Sequence, residues 1–550
     1  MHFLACFDTL KIVDISCVGG RWMRKRIGLG LGISILLLGL AGCGQVEEPT
    51  GEAASVTEEP VVLDWYVNYT WYNTPWGGNI VSEKITEDTG IFINFQAPMG
   101  NAEEKFNALI SSDTLPDIIT LGWWEDQVDE MIEKEMVYAL NELADEYDPL
   151  FWQVADQDAL NWYTREDGNI YCYPNSSYSP SDYEDYNIAS NQTFLVRKDI
   201  YEALGCPDMT TTEGFMDAVR RAAEEFPTVD GEPLIPIGAH IFDSGGCVSF
   251  DQYLQNFLAV PYEDENGDVY DRYTDPDFVT WLKAFRQLGE EGYLKEDIFI
   301  DQRAQMEEKL SQGRYFCMLY QRTDIAEQQA TLYANNPERI YIAVDGPKNA
   351  AGDDHVLPGA GINGWTVTLI SKNCQHPDKA ISLLSYLMSD EGQKLIYLGV
   401  EGVTYDMVEG KAVVKEEVRR LLNTDRQQYD ALYGADNAYW MLQDNAGQLQ
   451  WSQPLTEPNG QLEEWTYPYS HYLAQYETSY DSNTEAGNAD SNIKRLWGKT
   501  LPKLLLAPTE EEFDAIFADF VEQREQLGYE LVCQESKKMI QDAKKRLGME

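Results

Sequence analysis

The tetrapeptide Leu40-Ala41-Gly42-Cys43 is the one spacing in this chain that prescribes a covalent step. A cysteine that follows small residues, at the end of a short apolar run behind a basic cluster, has its thiol placed to carry lipid once the preceding peptide is removed. The run is Ile27 to Cys43, IGLGLGISILLLGLAGC, and the cluster is Arg24, Lys25 and Arg26. It falls short of the about 20 apolar residues that span a membrane. A signal peptide is therefore expected over 1–42, with lipidation at Cys43. Met1 to Trp22 fit no part of such a signal, which makes Met23 a candidate start. The mature chain is expected outside the cell, on the outer face of the cytoplasmic membrane, with the lipid as its only membrane contact.

No other motif prescribes chemistry. The nine cysteines contain no Cys-x-x-Cys, and the five histidines, His2, His240, His355, His376 and His471, are scattered. No metal centre and no cofactor is expected from such spacing. Neither G-x-S-x-G nor H-E-x-x-H occurs. With 93 Asp plus Glu, any carboxylate pair can be imagined, so their number is no argument for glycoside hydrolysis. Against those acids stand only 41 Lys plus Arg, which excludes nucleic acid as a partner, because phosphate binding needs aligned cations. The net charge of −52 favours solubility and disfavours anionic membrane surfaces.

The elements that follow imply more than one core. Gly44 to Glu59 is polar and acidic, and reads with Cys43 as a flexible tether over 43–59. Val61 to Val67 reads as a strand, Asn79 to Thr89 as a helix and Ile91 to Gln96 as a strand. Asn101 caps a helix to Ser112, and Ile118 to Leu121 is a buried strand. This β-α-β-α-β order implies an α/β fold with a parallel sheet, whose ligands sit beyond the carboxyl ends of the strands. Those ends are NYTWYNTPW, Asn68 to Trp76, and GWWE, Gly122 to Glu125. Further on, a capping box is read at Thr210 to Glu213, and Asn266-Gly267 reads as a hairpin turn rather than a calcium loop. Asp275-Pro276 and Pro377 open helices, strands recur at Ile340 to Val344 and Gly364 to Ile370, and a capping box at Thr509 to Glu512 opens an amphipathic helix.

Several segments, in order, resemble the extracellular solute-binding proteins of ABC importers, in particular their carbohydrate-binding lipoproteins. They are NALISSDTLPDIITLGWW (Asn107 to Trp124), DGNIYCYP (Asp167 to Pro174), LVRKDIYEALGCPDMTTTEGFMDAVR (Leu195 to Arg220) and QGRYFCMLY (Gln312 to Tyr320). The fifth, from Ile370 to Lys411, follows the family's strand, Pro-capped helix, Asp-Glu-Gly turn, helix and Gly-x-Glu-Gly segment. Ser112-Asp113-Thr114 stands where the family usually carries Ser-Gly-Asp. The resemblance implies a two-lobed periplasmic-binding-protein-like fold of type II, each lobe a sheet flanked by helices. Residues 60–173 plus 346–400 would form lobe 1, and 174–345 plus 401–550 lobe 2. It also implies a monomer that closes on a small-molecule carbohydrate and presents it to the permease subunits of the importer, with no catalysis.

Aromatic rings stack on the apolar faces of pyranoses while amides and carboxylates bond the hydroxyls. By position beyond strand ends, Asn68, Trp71, Trp123 and Trp124 are candidate ligand contacts. By resemblance, Tyr173 and Asn175 at the first crossing, Ser244 and Phe250 in a second-lobe loop, and Gln321 and Arg322 after the Gly-Arg strand should also line the cleft. So should Trp365 at the strand that re-enters lobe 1, Glu401 and Tyr405 near the last crossing, and Trp440. Glu401 has a second reading as a hinge residue bonding backbone amides. Two other functions remain open at this stage: a secreted glycosidase or lyase, and a peptide or polyamine receptor on the same plan.

Overall fold

Branched and aromatic residues that alternate between two buried faces make strands of the segments that position the site. In the computed structural model, which describes residues 59–549 except 453, 454 and 482, these are β1 (Val61–Val67), β2 (Ile91–Gln96), β3 (Ile118–Gly122) and β4 (Tyr173–Pro174). They are followed by β5 (Gln192–Arg197), β6 (Ile235–Ile237), β7 (Tyr315–Gln321), β8 (Tyr341–Ala343) and β9 (Thr366–Ile370). The signal segment, Cys43 and the tether as far as residue 58 lie outside the described residues. No helix among the described residues is long and apolar enough to cross a membrane.

The first sheet has the order β2-β1-β3-β9-β4. Helices α1 (Ile80–Thr89) and α2 (Ala102–Ser111) make its crossovers, each started by an asparagine side chain: Asn79 accepts from Ser82 N at 2.9 Å and Asn101 from Glu104 N at 3.2 Å. Because strand side chains alternate, Leu63, Trp65 and Val67 face one core with Ile91, Ile93 and the helix Pro377–Met388, while Tyr66 joins Phe106, Ile119 and Leu121 in another. β9 runs antiparallel to β3, pairing Thr366 with Gly122. The start of β9 thus meets the ends of β1 and β3.

The second sheet, β8-β5-β7-β6, has its own core, in which Phe194, Phe215, Trp281, Phe285 and Leu319 pack with Trp497, Leu501, Phe513 and Phe520 of the C-terminal helices Glu485–Leu505 and Glu510–Gln526. The Asn266-Gly267 segment forms a hairpin, with Asp264 N donating to Asp268 O at 2.8 Å and Tyr270 N to Tyr262 O at 2.9 Å. Lys537 and Lys544 of the last helix, Tyr529–Arg546, neutralise Asp268 and Glu263 of that hairpin. The capping residue expected at Thr210 is its neighbour Thr211, which accepts from Gly214 N at 3.1 Å; Thr210 is held instead by Asp208.

Three segments connect the sheets side by side. Ser176 N donates to Gln443 O at 2.9 Å, Tyr178 N to Gly361 O at 3.0 Å, and Ser177 Oγ to Ile362 O at 2.7 Å. The core of the first sheet takes in residues beyond position 400. Val418, Tyr429, Tyr439, Trp440 and Leu442 belong to the core of the first sheet, where Tyr439 Oη accepts from Asn79 Nδ2 at 2.7 Å, and the chain leaves that core only after Leu442. Beside these segments lies a polar cavity of about 390 Å³. Three of the four carboxylates that line it, Asp156, Asp182 and Asp444, accept from the backbone amides of Ala159, Ser179 and Gly447 and so close local turns.

Candidate functional site

At the end of β1, Asn68 N donates to Thr120 O at 2.9 Å, which fixes the exit of the chain from the sheet. A tight turn follows, with Tyr72 N donating to Tyr69 O at 3.1 Å, and it turns Tyr69, Trp71 and Tyr72 toward the start of β9 and toward Trp440. Trp71 lies over Trp365 with ring centroids 6.0 Å apart and planes at 7°. Trp365 and Trp440 meet at 4.5 Å, and Tyr69 sits 5.4, 5.3 and 5.9 Å from Trp71, Trp365 and Trp440. Trp440 is 8% exposed whereas Trp71 is 50% exposed, so the inner rings form a backing for one that faces water. A half-open indole on a rigid aromatic base is a stacking platform.

Polar groups stand beside it. Asn68 is buried, and its Nδ2 donates to Glu125 Oε2 at 2.6 Å while its Oδ1 accepts from Tyr66 Oη at 3.2 Å. Glu125 Oε1 accepts from Gly122 N at 2.8 Å. Burial holds this carboxyl above the usual range against the two hydrogen bonds, and Glu103 adds like charge. The Tyr69 hydroxyl is buried without a partner among the described residues, and burial, then the Glu125 charge, push it up. Trp123 and Trp124 stand at right angles, 5.9 Å apart. Trp124 is exposed and folds back over Gly122, where a Cβ would lie 2.8 Å from its ring.

Several of the remaining candidates make structural contacts. Asn175 is fully buried: its Oδ1 accepts from Thr366 N at 2.8 Å and its Nδ2 donates to Trp440 O at 3.1 Å. Tyr173 is buried against Phe151, and its hydroxyl accepts from Asp156 N at 2.9 Å. Phe250 lies in the second core between Phe242 and Phe285, 2% exposed, so it offers no surface to a ligand. Ser244 is exposed in a loop whose backbone presses on Gly498 of the C-terminal helix. Arg322 is held by Ser190 O at 2.8 Å and Glu463 Oε2 at 2.9 Å. Gln321, with its amide turned to satisfy both neighbours, donates to Asp324 at 2.9 Å and accepts from Tyr253 Oη at 2.8 Å. Glu401 and Tyr405 lie at the base of the hairpin Tyr405–Val408 and Lys411–Val414, with Tyr405 packed on Leu398 and Ala412, rather than at a crossing. Of the fourteen cleft candidates, the geometry brings together Trp71, Trp365 and Trp440, while Asn68 directly precedes Tyr69 of the same aromatic cluster and bonds Glu125. Sequence reasoning missed Tyr69 and Glu125, although both sit inside the two strand-end segments it singled out.

Two sheets with separate cores, three side-by-side connections and the 2-1-3 strand order define a two-lobed binding-protein fold. Residues 78–394 match the model of the bacterial extracellular solute-binding protein family, and the chain belongs to that family. It is 21% identical over 550 residues to the polygalacturonan/rhamnogalacturonan-binding protein YtcQ of Bacillus subtilis (strain 168), covering 96% of this chain and all of that one. Among solved structures, the Streptococcus pneumoniae ABC-transporter substrate-binding protein FusA in complex with kestose matches with a TM-score of 0.68 and 14% identity over 88% of this chain and 99% of that one. The alginate-binding protein AlgQ2 without calcium ion matches with a TM-score of 0.64 and 18% identity over 89% of this chain and 100% of that one.

Proposed function

We propose that the protein is the lipid-anchored receptor of an ABC importer, held outside the cell by Cys43, which captures an oligosaccharide between its lobes and delivers it to a membrane permease. The observation that carries this reading is the Trp71 platform, half open to water and backed by Tyr69, Trp365 and Trp440. It stands beside the amide and carboxylate pair Asn68 and Glu125, the combination that glycans require. The names of the relatives, which include polygalacturonan, alginate and kestose binders, support a carbohydrate and leave its charge open. In this reading lobe 1 comprises 60–174 and 364–442, lobe 2 comprises 192–343 and 460–549, and the segments between them are the hinge. Ligand affinity for the closed arrangement of the lobes drives closure, so no group has to perform chemistry.

A thermal-shift panel of oligosaccharides, peptides and polyamines tests the ligand class, because a ligand that binds only the folded state raises Tm. Stabilisation by at least one oligosaccharide is the expected result. A flat response to every sugar beside a response to peptides overturns it, and sustained release of reducing ends would make the protein a hydrolase. Membrane fractionation of cells carrying Cys43→Ser tests the anchor: release of the protein into the medium is expected.

A further inference from the structure

The charge at the site narrows the ligand. The carboxylate next to the aromatic platform is Glu125, and its hydrogen-bond partners are neutral, Asn68 Nδ2 and Gly122 N. Among the described residues no Lys or Arg forms an ion pair with it, and the further charge that bears on it is Glu103, of the same sign. The Asn68 partner of Glu125 immediately precedes Tyr69, whose ring lies 5.4 and 5.3 Å from those of Trp71 and Trp365.

The end of the second sheet at the connecting segments holds its arginines in ion pairs. β7 pairs with β5 so that Gln321 lies opposite Gln192, which puts both beside the connecting segments at Ser190. The two arginines at that end are already occupied. Arg322 is bound by Glu463 and by Ser190 O, and Arg303 by Glu307 at 2.6 Å and Asp324 at 3.2 Å. A uronate carboxylate is recognised by a free guanidinium or ammonium, in the best case bidentately by arginine. To use Arg322 or Arg303 a uronate would have to displace an internal carboxylate, and it would do so in a chain whose net charge is −52.

We infer that the site selects uncharged glycans and rejects uronates, with Glu125 beside the Trp71 platform as the residue that enforces the choice. This rests on the carbohydrate-receptor reading and goes beyond it, since relatives named for acidic and for neutral glycans share the fold. A neutral sugar satisfies Glu125 by donating hydroxyl hydrogens to its free lone pairs, whereas a uronate brings a second anion to a carboxylate that no Lys or Arg pairs with among the described residues. Like charges placed together across an interface disfavour the wrong partner strongly, and discrimination on the order of 100-fold is expected on that basis.

The test titrates the full chain with neutral gluco-, galacto-, manno-, xylo- and fructo-oligosaccharides and with oligogalacturonate and oligomannuronate of matched length, by calorimetry and by thermal shift. At least one neutral series should bind, with both uronates on the order of 100-fold weaker or silent. Glu125→Gln, checked by circular dichroism for retained fold, should narrow that ratio about tenfold or more. A uronate that binds the unaltered protein as tightly as any neutral sugar overturns the inference and leaves the receptor reading standing. Silence toward every glycan overturns both. The comparison of ligands on the unaltered chain decides the matter even if the variant does not fold.

Discussion

Trp71 lies parallel to Trp365, 6.0 Å between ring centroids and 7° between planes, although 294 positions of chain, from 71 to 365, separate them. The pair joins the turn after β1 to the start of β9, and the two members play unequal parts. Trp71 is half exposed, so its removal forfeits little buried area, whereas Trp440 beneath it is 8% exposed. Trp71→Ala should therefore weaken glycan binding by about 10- to 100-fold at a stability cost under about 1 kcal/mol. Trp440→Ala should cost about 3–5 kcal/mol of stability as well. Calorimetric titration beside urea unfolding separates the two, and equal destabilisation with unchanged affinity for Trp71→Ala would remove the platform from the mechanism.

The first half of the first lobe was legible because each piece announces itself locally. Asn79 and Asn101 stand before amphipathic runs, and β3 is an apolar run bounded by Pro116-Asp117 and by the Gly122 turn. The last departure from that lobe was not legible. Val418, Tyr429 and Tyr439 are held in the first core by contacts with residues hundreds of positions away, such as Asn79, and no local periodicity records a long-range partner. Phe250 is 2% exposed in the second core, and an aromatic that lines a cleft and one that fills a core look the same in sequence. Strand ends could be placed and so could Trp71 and Trp365 individually, but their convergence on Tyr69 and Trp440 depends on the turn after β1, the β9 register and the long-range docking of the Trp440 segment.

Asn175 sits at the first crossing and was read as a ligand contact, yet both ends of its amide are bound to backbone. Asn175→Ala would leave the buried Thr366 amide without its acceptor, at about 1–3 kcal/mol, and would remove one of the two donors to Trp440 O, which keeps Gln443 N at 3.0 Å. Because the Asn175 side chain ties Thr366, the residue after Trp365, to Trp440, the same change should loosen the base of the platform and lower glycan affinity together with Tm. Asn175→Asp should not rescue either property, since a carboxylate cannot donate to Trp440 O. Full recovery with aspartate would show that the donated bond is dispensable.

Asp251 links the loop before the helix Gln252–Phe257 to the C-terminal layer, accepting from Cys247 N at 3.1 Å and Trp497 Nε1 at 3.3 Å. Burial pushes its carboxyl up to about 7 against those bonds. The folded state thus holds the proton more tightly than the unfolded chain, so this group's contribution is fully present below an unfolded pKa of about 3.9 and is lost as pH rises through about 7. Its maximal slope is about 1.4 kcal/mol per pH unit. Asp156, Asp444 and Glu477, whose carboxyls desolvation also raises, act in the same sense, while His240 and His355, held low by desolvation, act in the opposite one. The readout is therefore the difference between the unaltered protein and Asp251→Asn in urea unfolding at several pH values between about 5 and 8. The variant should show the flatter profile, and parallel profiles would refute the assignment.

Arg524 anchors the C-terminal helices to the second lobe. Its guanidinium is 2% exposed, takes Asp271 Oδ1 at 2.9 Å and bonds Oδ2 as well, and stacks 4.0 Å from the Tyr529 ring centroid. The fork-to-carboxylate geometry accounts for the direction of the Asp271 shift: although burial alone would raise it, the Arg524 bond and charge bring the carboxyl below its usual range. Removing one partner strands the other charge in a buried place, which costs about 3–5 kcal/mol. Asp271→Asn and Arg524→Met should each destabilise by that amount, and the double variant by less than the sum of the two, because the second change removes the charge stranded by the first. Glycan affinity at a temperature where both variants remain folded should stay within about threefold of the original, since the pair lies in the second-lobe packing and touches none of Trp71, Trp365 and Trp440. Unfolding free energies from a double-mutant cycle, with a parallel titration, measure both quantities. An additive cycle would mean that the pair contributes no coupling, and a collapse of affinity without loss of stability would move the C-terminal layer into the binding mechanism.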